Sequence, residues 1–322
     1  MNKILLSDHF IVRNPTLSDL EDVLELYNSF DIPKYGQPNQ SLASVRTMWT
    51  APDFALESDA WLVVAPDERL VGTMQLIKDS ETNFFTSGGV HPEYRRQGIG
   101  THLLRLASAR VQERGAHLPD GSQVTMRAFC LIKPTNKAEA QLFERQGYQV
   151  VRHFWDMERE LIDPTPMPVW PEGISIRTFI PGQDEHPFFE AYTQVFQDRW
   201  GYEPQTFETW AHENLLADSF DPDRCFLACH DKTIVGFALC VDFGEMGIID
   251  QLGVQQSERK RGLGQALLHH CFGELARRGK RIAHLSVDAE SLTGASRLYK
   301  RAGMHITIHN DLYQKTLDRV RG

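Results

Sequence analysis

The chain has 322 residues, enough for two domains of ordinary size, and its 41% hydrophobic and 24% charged residues are the composition of a folded globular protein. A formal net charge of −9 argues against a general affinity for nucleic acid or an anionic membrane, and no apolar run approaches the roughly 20 residues that cross a bilayer. Five cysteines, an odd number with no signal peptide before Phe10, fit a reducing compartment and predict a cytoplasmic protein.

Residues 10–13 predict a short strand, and after a polar turn Leu20, Val23, Leu24 and Tyr27 recur at helical spacing. Residues 61–65 and 70–77 read as the two arms of a hairpin. A strand over 84–90 leads into a glycine-bearing turn, and a helix runs from about Gly100 to Arg114. Residues 123–130 alternate as a strand, Lys137 to Arg145 form a helix ending at Gly147, and 148–157 make a last strand. Residues 161–173 hold four prolines, which predicts a stiff linker. From Ile174 the order repeats, giving twice a mixed α/β order around one sheet. Cys225 and Cys229 fall in a strand, where four residues span roughly 13 Å, too far for a disulfide.

The repetition has one spacing. The run V-H-P-E-Y-R-R-Q-G-I-G at 90–100 returns as V-Q-Q-S-E-R-K-R-G-L-G at 254–264, so that 254 − 90, 259 − 95, 262 − 98 and 264 − 100 all equal 164. Val71 and Val235, Arg13 and Arg177, and Gly115 and Gly279 share that lag of 164. A constant lag marks an internal duplication and predicts domains over 1–160 and 174–322. In each run a strand passes through a basic, glycine-rich turn into a helix. The first N–H groups of that helix have no internal partner, the dipole adds positive charge, and glycines let an anion approach the backbone. Each turn therefore reads as a pyrophosphate cradle: Val90, Arg95, Arg96, Gln97, Gly98, Ile99 and Gly100 in the first copy, Val254 and Arg259 to Gln265 in the second. Nucleotide signatures do not explain it, because G-x-x-x-x-G-K-[ST] is absent and Leu103 and Leu267 stand where G-x-G-x-x-G needs its third glycine. No metal site is predicted, and His269 and His270 read as packing residues.

The pattern V-x-x-x-x-R-x-x-G-x-G at Val254, Arg259, Gly262 and Gly264 resembles the acyl-CoA signature of the GCN5-related N-acetyltransferase (GNAT) superfamily. Residues 285–303, where Leu298 and Tyr299 precede Gly303, resemble that family's later strand–helix motif. The tandem layout, with D-A-E-S-L-T-G-A, is similar to mycothiol synthase-like tandem acetyltransferases, Ser291 standing where that pattern has Asn. The resemblance covers nearly the whole chain. It implies an α/β fold of two tandem GNAT (acyl-CoA N-acyltransferase) domains, each a mixed, mostly antiparallel sheet flanked by helices, with acetyl-CoA as cosubstrate. It further implies pyrophosphate on the N–H groups of Arg259, Lys260, Arg261, Gly262, Leu263, Gly264 and Gln265, and pantetheine along Leu252, Gly253 and Val254. Gly253 is expected to form a bulge there, and Ser291 is counted among the cofactor contacts.

Attack of an amine on a thioester needs a base for the amine proton and help for the leaving thiolate. Asp250, four residues before Val254, is the expected base, with Glu245 as its rival. Tyr299 occupies the family position that points a phenol at the sulfur. At the matching places the first copy has Thr86 and Phe143, which predicts a catalytically degenerate domain. Trp200, Tyr202, Trp210 and His212 are candidates for lining the acceptor pocket. The expected function is transfer of acetyl to a primary amine of a small molecule or peptide, by a monomer or homodimer; a non-catalytic acyl-CoA sensor or scaffold is the alternative.

Overall fold

The computed structural model describes residues 9–317 except 37, 39, 120–121, 134–135, 163–164, 166, 217–218 and 292, so Pro164 and Pro166 of the linker and Leu292 of the later motif lie outside the described residues. It forms two compact units. One holds the chain up to Val151 and again from Asp311, and the other runs Arg152–Asn310.

The first unit is built from β1 (Ile11–Arg13), α1 (Leu20–Tyr35), α2 (Leu42–Trp49), α3 (Leu56–Asp59), β2 (Ala60–Val64), β3 (Leu70–Lys78), β4 (Asn83–Val90), α4 (Ile99–Gly115), β5 (Val124–Leu131) and α5 (Lys137–Arg145). After β6 (Gln149–Glu160), the second unit repeats the plan with β7 (Ile174–Thr178), α6 (Glu185–Phe196), α7 (Phe207–Asn214), β8 (Cys225–His230), β9 (Thr233–Phe243) and β10 (Met246–Val254). It continues through α8 (Leu263–Arg277), β11 (Ile282–Asp288), α9 (Ala295–Arg301) and β12 (His305–Leu317). Strand order is β1-β2-β3-β4-β5-β12 in the first unit and β6-β11-β10-β9-β8-β7 in the second. Only β4–β5 and β10–β11 pair in parallel among the described registers; the rest are antiparallel.

The last strands differ from the expected boundaries. β6 was expected to close the first domain and β12 the second. Instead β6 pairs with β11, from Phe154↔Asp288 to Glu160↔Ile282, and β12 ends beside β5. Each copy's final strand thus completes the other copy's sheet, because a duplicated edge offers the same partner in either unit.

Alternating strand residues serve two cores in each unit. In β2, Trp61 and Val63 face the core under α4 and α5, while Leu62 faces the core under α1 and α2. In β8, Phe226 and Ala228 face α8 and α9, while Cys225, Leu227 and Cys229 face α6 and α7. All five cysteines are buried and unbridged.

The arginines at the repeat lag close the first helix of each copy. Arg13 donates to Asp19 (3.0 Å), which accepts the Thr16 N–H (2.7 Å), and Arg177 donates to Asp184 (2.8 Å), which accepts the Ile180 N–H (2.7 Å). The Arg13 guanidinium holds the Asp19 carboxyl down at about 2, outweighing its desolvation. Among the described residues no helix is long and apolar enough to cross a membrane.

Candidate active site

The two glycine turns adopt one backbone. Gly98 and Gly262 have φ of 87° and 91°, and Arg96 and Lys260 have φ of 64° and 65°, a region that non-glycine residues seldom enter. Neither α4 nor α8 has a side-chain cap. The first internal bonds run from His102 N–H to the Gly98 carbonyl (2.9 Å) and from Ala266 N–H to the Gly262 carbonyl (3.0 Å). The N–H groups of Ile99, Gly100 and Thr101, and of Leu263, Gly264 and Gln265, therefore lack helical acceptors. A Cβ on Gly262 would meet nothing within 4 Å, so the space beside this residue of the second turn is open. This fits an oxyanion ligand such as a pyrophosphate.

The second glycine of each turn has a different reason. A Cβ on Gly264 would stand 3.3 Å from Leu298 and 3.7 Å from Val254, and one on Gly100 would stand 3.0 Å from Leu142 and 3.7 Å from Val90. These glycines let the leucine before Tyr299, or before Phe143, pack onto the cradle helix. The two sequence motifs are one contact.

Most of the turn's cationic side chains are anchored on protein oxygens. Arg259 donates to the carbonyls of Val254 (3.1 Å) and Val195 (3.4 Å), which clamps the loop to the strand end. Arg95 makes the matching bond to Val90 (3.5 Å). Arg261 is tied to buried Glu258 and to the Glu172 carbonyl (3.2 Å). Lys260 is exposed and has no ion pair among the described residues. Ser291 bonds Thr293 (2.9 Å) within the loop before α9.

Beyond the cradle the sheets open. β10 and β11 pair from Met246↔Ile282 to Ile248↔His284 and then part; β4 and β5 part after Phe85↔Arg127. Past those points the facing edges of each pair have no strand partner among the described registers, and an extended amide chain can add there like a strand. In the second unit this edge carries Leu252, Gly253 and Val254.

The expected bulge is present at another residue. The β9–β10 register slips between Ile249 and Gln251, which turns Asp250 out of the ladder, whereas β3–β4 pair without a slip. Gly253 stays in register with Phe237. It is glycine because a Cβ there would press on Val195 (2.5 Å) and Phe237 (2.9 Å). Gly253→Ala is expected to destabilise the second unit by about 1–3 kcal/mol through overpacking, read as a lower denaturant midpoint of the full chain. An unchanged midpoint refutes that account.

Asp250 keeps an open path to solvent, yet the protein packed around it raises its carboxyl above the usual range, against a hydrogen bond from Gln251 and the charge of Arg199. Tyr192, pushed up to about 12 mainly by burial, also feels the Asp250 charge. The Gln251 amide donates to Asn214 (2.5 Å), which donates to the Trp210 carbonyl (2.8 Å). Gln251 Oε1 and His212 Nε2 are buried without a partner among the described residues. Tyr192, Arg199, Asn214 and Gln251 carry no motif and went unread in the sequence. Trp210 is core rather than lining, packed among Phe188, Phe189, Tyr192 and Phe207. Trp200 lies over the Arg152 guanidinium at 5.0 Å.

Glu245 is not with these groups. It stands exposed in the turn before β10, 3.8 Å from Arg281, at the end of the strand remote from the cradle. Tyr299 is buried in the second unit's core, and that burial, with the Cys271 thiol beside it, pushes its phenol up to about 12. At the matching places of the first unit, Thr86 donates to the Arg127 carbonyl (3.2 Å) and Phe143 packs against Tyr148 and Tyr313.

Comparison with known proteins agrees with this geometry. Residues 186–304 match the acetyltransferase (GNAT) family model, and residues 57–150 match an acetyltransferase (GNAT) domain model. A mycothiol acetyltransferase of Thermobispora bispora is 34% identical over 226 residues, 66% of this chain and 70% of that protein. One from Catenulispora acidiphila is 26% identical over 319 residues, 94% of this chain and 98% of that protein. A solved GCN5-related N-acetyltransferase from Sphaerobacter thermophilus shares 35% identity at a TM-score of 0.80, covering 99% of each chain. With two glycine cradles on two GNAT sheets, the chain belongs to the GNAT family as a tandem N-acetyltransferase, and the cosubstrate of that family is acetyl-CoA.

Proposed function

We propose that the second unit moves an acetyl group from acetyl-CoA to a primary amine of a small molecule or peptide by direct attack, while the first unit keeps a cradle without turning over. One observation carries this reading. The bulge that frees Asp250 and the phenol of Tyr299 occur together in the second unit, and the first has neither. The bound thioester supplies the acyl carbon and the leaving sulfur. The cradle N–H groups and the open edge of β10 hold its two ends in register with the reacting carbon. Asp250, directly or through water, takes the proton that a nucleophilic amine must lose as the C–N bond forms and the C–S bond breaks. In this reading, backbone N–H groups freed by the bulge steady the oxyanion. The curated relatives are named mycothiol acetyltransferases, which makes a mycothiol-type amino-sugar precursor the first acceptor to try in a thiol-release assay with a panel of amines.

The raised Asp250 carboxyl gives this reading a pH signature. Below its pKa the carboxyl is protonated and accepts nothing, so kcat/KM falls on the acid side, with a midpoint above the ordinary aspartate range. Asp250→Asn is expected to lower kcat/KM by about 10²–10⁴-fold and to erase that acid limb. A limb that survives in Asp250→Asn assigns the proton elsewhere.

A further inference from the structure

Beside the second unit's cradle, where α8 and the end of α9 meet β6, lies an open polar recess of about 510 Å³. Arg159, Arg301, His269, His305 and Gln265 line it, with Glu160 as its one carboxylate among the described residues. Gln265 belongs to both places, lying in the first turn of α8 and lining the recess. Neither guanidinium has an ion pair among the described residues. Arg301 is exposed, and Arg159, half-buried over the Phe272 ring (4.9 Å), donates only to the Ala302 carbonyl. Burial of Arg159 works against its charge, and in a chain with 43 carboxylates against 34 Lys and Arg a counter-ion was available to evolution.

The arrangement recurs in the first unit. Arg159 lies over Gly303, its Nη1 3.4 Å from where a Cβ would stand, and Lys315 lies over Gly147 at 3.9 Å. Gly303 and Gly147, Arg301 and Arg145, and Lys315 and Arg159 are each 156 residues apart (303 − 147, 301 − 145, 315 − 159). Lys315 also has its charge disfavoured by burial. The copies lost their match at Asp250 and Tyr299 but kept cations here, so these cations answer to something both cradles share.

We propose that this recess is a phosphomonoester site, its guanidiniums and imidazoles gripping a dianion through charge-assisted hydrogen bonds. The phosphate has two chemical sources: the 3′-phosphate of the coenzyme whose pyrophosphate takes the adjoining cradle, or a separate phosphorylated metabolite. The first source rests on the acetyl-CoA reading above.

Calorimetric titration of the full chain with CoA, 3′-dephospho-CoA and inorganic phosphate tests this, for wild type and Arg301→Ala. Arg301 is exposed and its side chain makes no hydrogen bond or ion pair among the described residues, so its removal is expected to leave the fold intact. Arg159→Gln serves as a second variant. Wild type is expected to bind CoA about tenfold or more tightly than dephospho-CoA, and Arg301→Ala to lose that preference without weakening dephospho-CoA. Equal binding of the two coenzymes, with inorganic phosphate bound in an Arg301-dependent way, assigns the site to a separate phosphomonoester. Binding of CoA, dephospho-CoA and phosphate that is insensitive to both variants overturns the proposal. If neither coenzyme binds at all, the acetyl-CoA reading fails instead, and inorganic phosphate alone decides the recess.

Discussion

Tyr299→Phe is expected to lower kcat by about 10²–10³-fold, with the KM for acetyl-CoA nearly unchanged. The reason lies in the phenol's acidity. Burial pushes it up to about 12, while an ordinary thiol titrates near 8.5, so the phenol does not surrender its proton to a free thiolate. What it offers is a hydrogen bond that strengthens as negative charge builds on the sulfur. Such a bond is made in the transition state and hardly in the ground state, so its loss falls on kcat rather than on KM. The measurement is steady-state thiol release with an amine that turns over well. An unchanged kcat removes Tyr299 from the chemistry and leaves it as a core aromatic like Phe143.

The second large effect concerns binding. Gly262→Glu is expected to abolish coenzyme binding by the second unit. The side chain enters the open ground before the free N–H groups, and its carboxylate occupies the place of the anion. The φ of 91° costs a non-glycine residue about 1 kcal/mol, which Glu partly recovers at the positive end of the helix dipole. The variant is therefore expected to fold, and loss of binding reads the cradle itself. Gly98→Glu makes the same test of the first cradle. Calorimetry with unchanged stoichiometry and affinity in Gly262→Glu shows that pyrophosphate sits elsewhere.

Much of the fold was legible because it is written locally. The helix expected over Lys137–Arg145 is α5 itself, and the first copy's hairpin arms and cradle helix lie within a residue or so of their expected bounds. The glycine turns could be read because a positive φ and uncapped N–H groups are properties of a few consecutive residues. The shape of the turn was legible, but the reason for each residue in it was not. Gly264 serves a contact with Leu298, and Arg259 and Arg261 are anchored to protein oxygens. Spacing reports that such residues recur; only the packed neighbours report what they touch.

By itself, then, the sequence determined the duplication, the order of elements, the two glycine turns and the absence of Asp250 and Tyr299 equivalents from the first copy. Each of these depends on residue type and on distance along the chain. Tertiary structure alone decided that the bulge falls on Asp250, that Glu245 stands at the remote end of its strand, that the Asp250 carboxyl feels the charge of Arg199, and that the final strands change units. Those outcomes follow from strand register and from which edge finds which partner, long-range choices among nearly equal local options that no short stretch of sequence encodes.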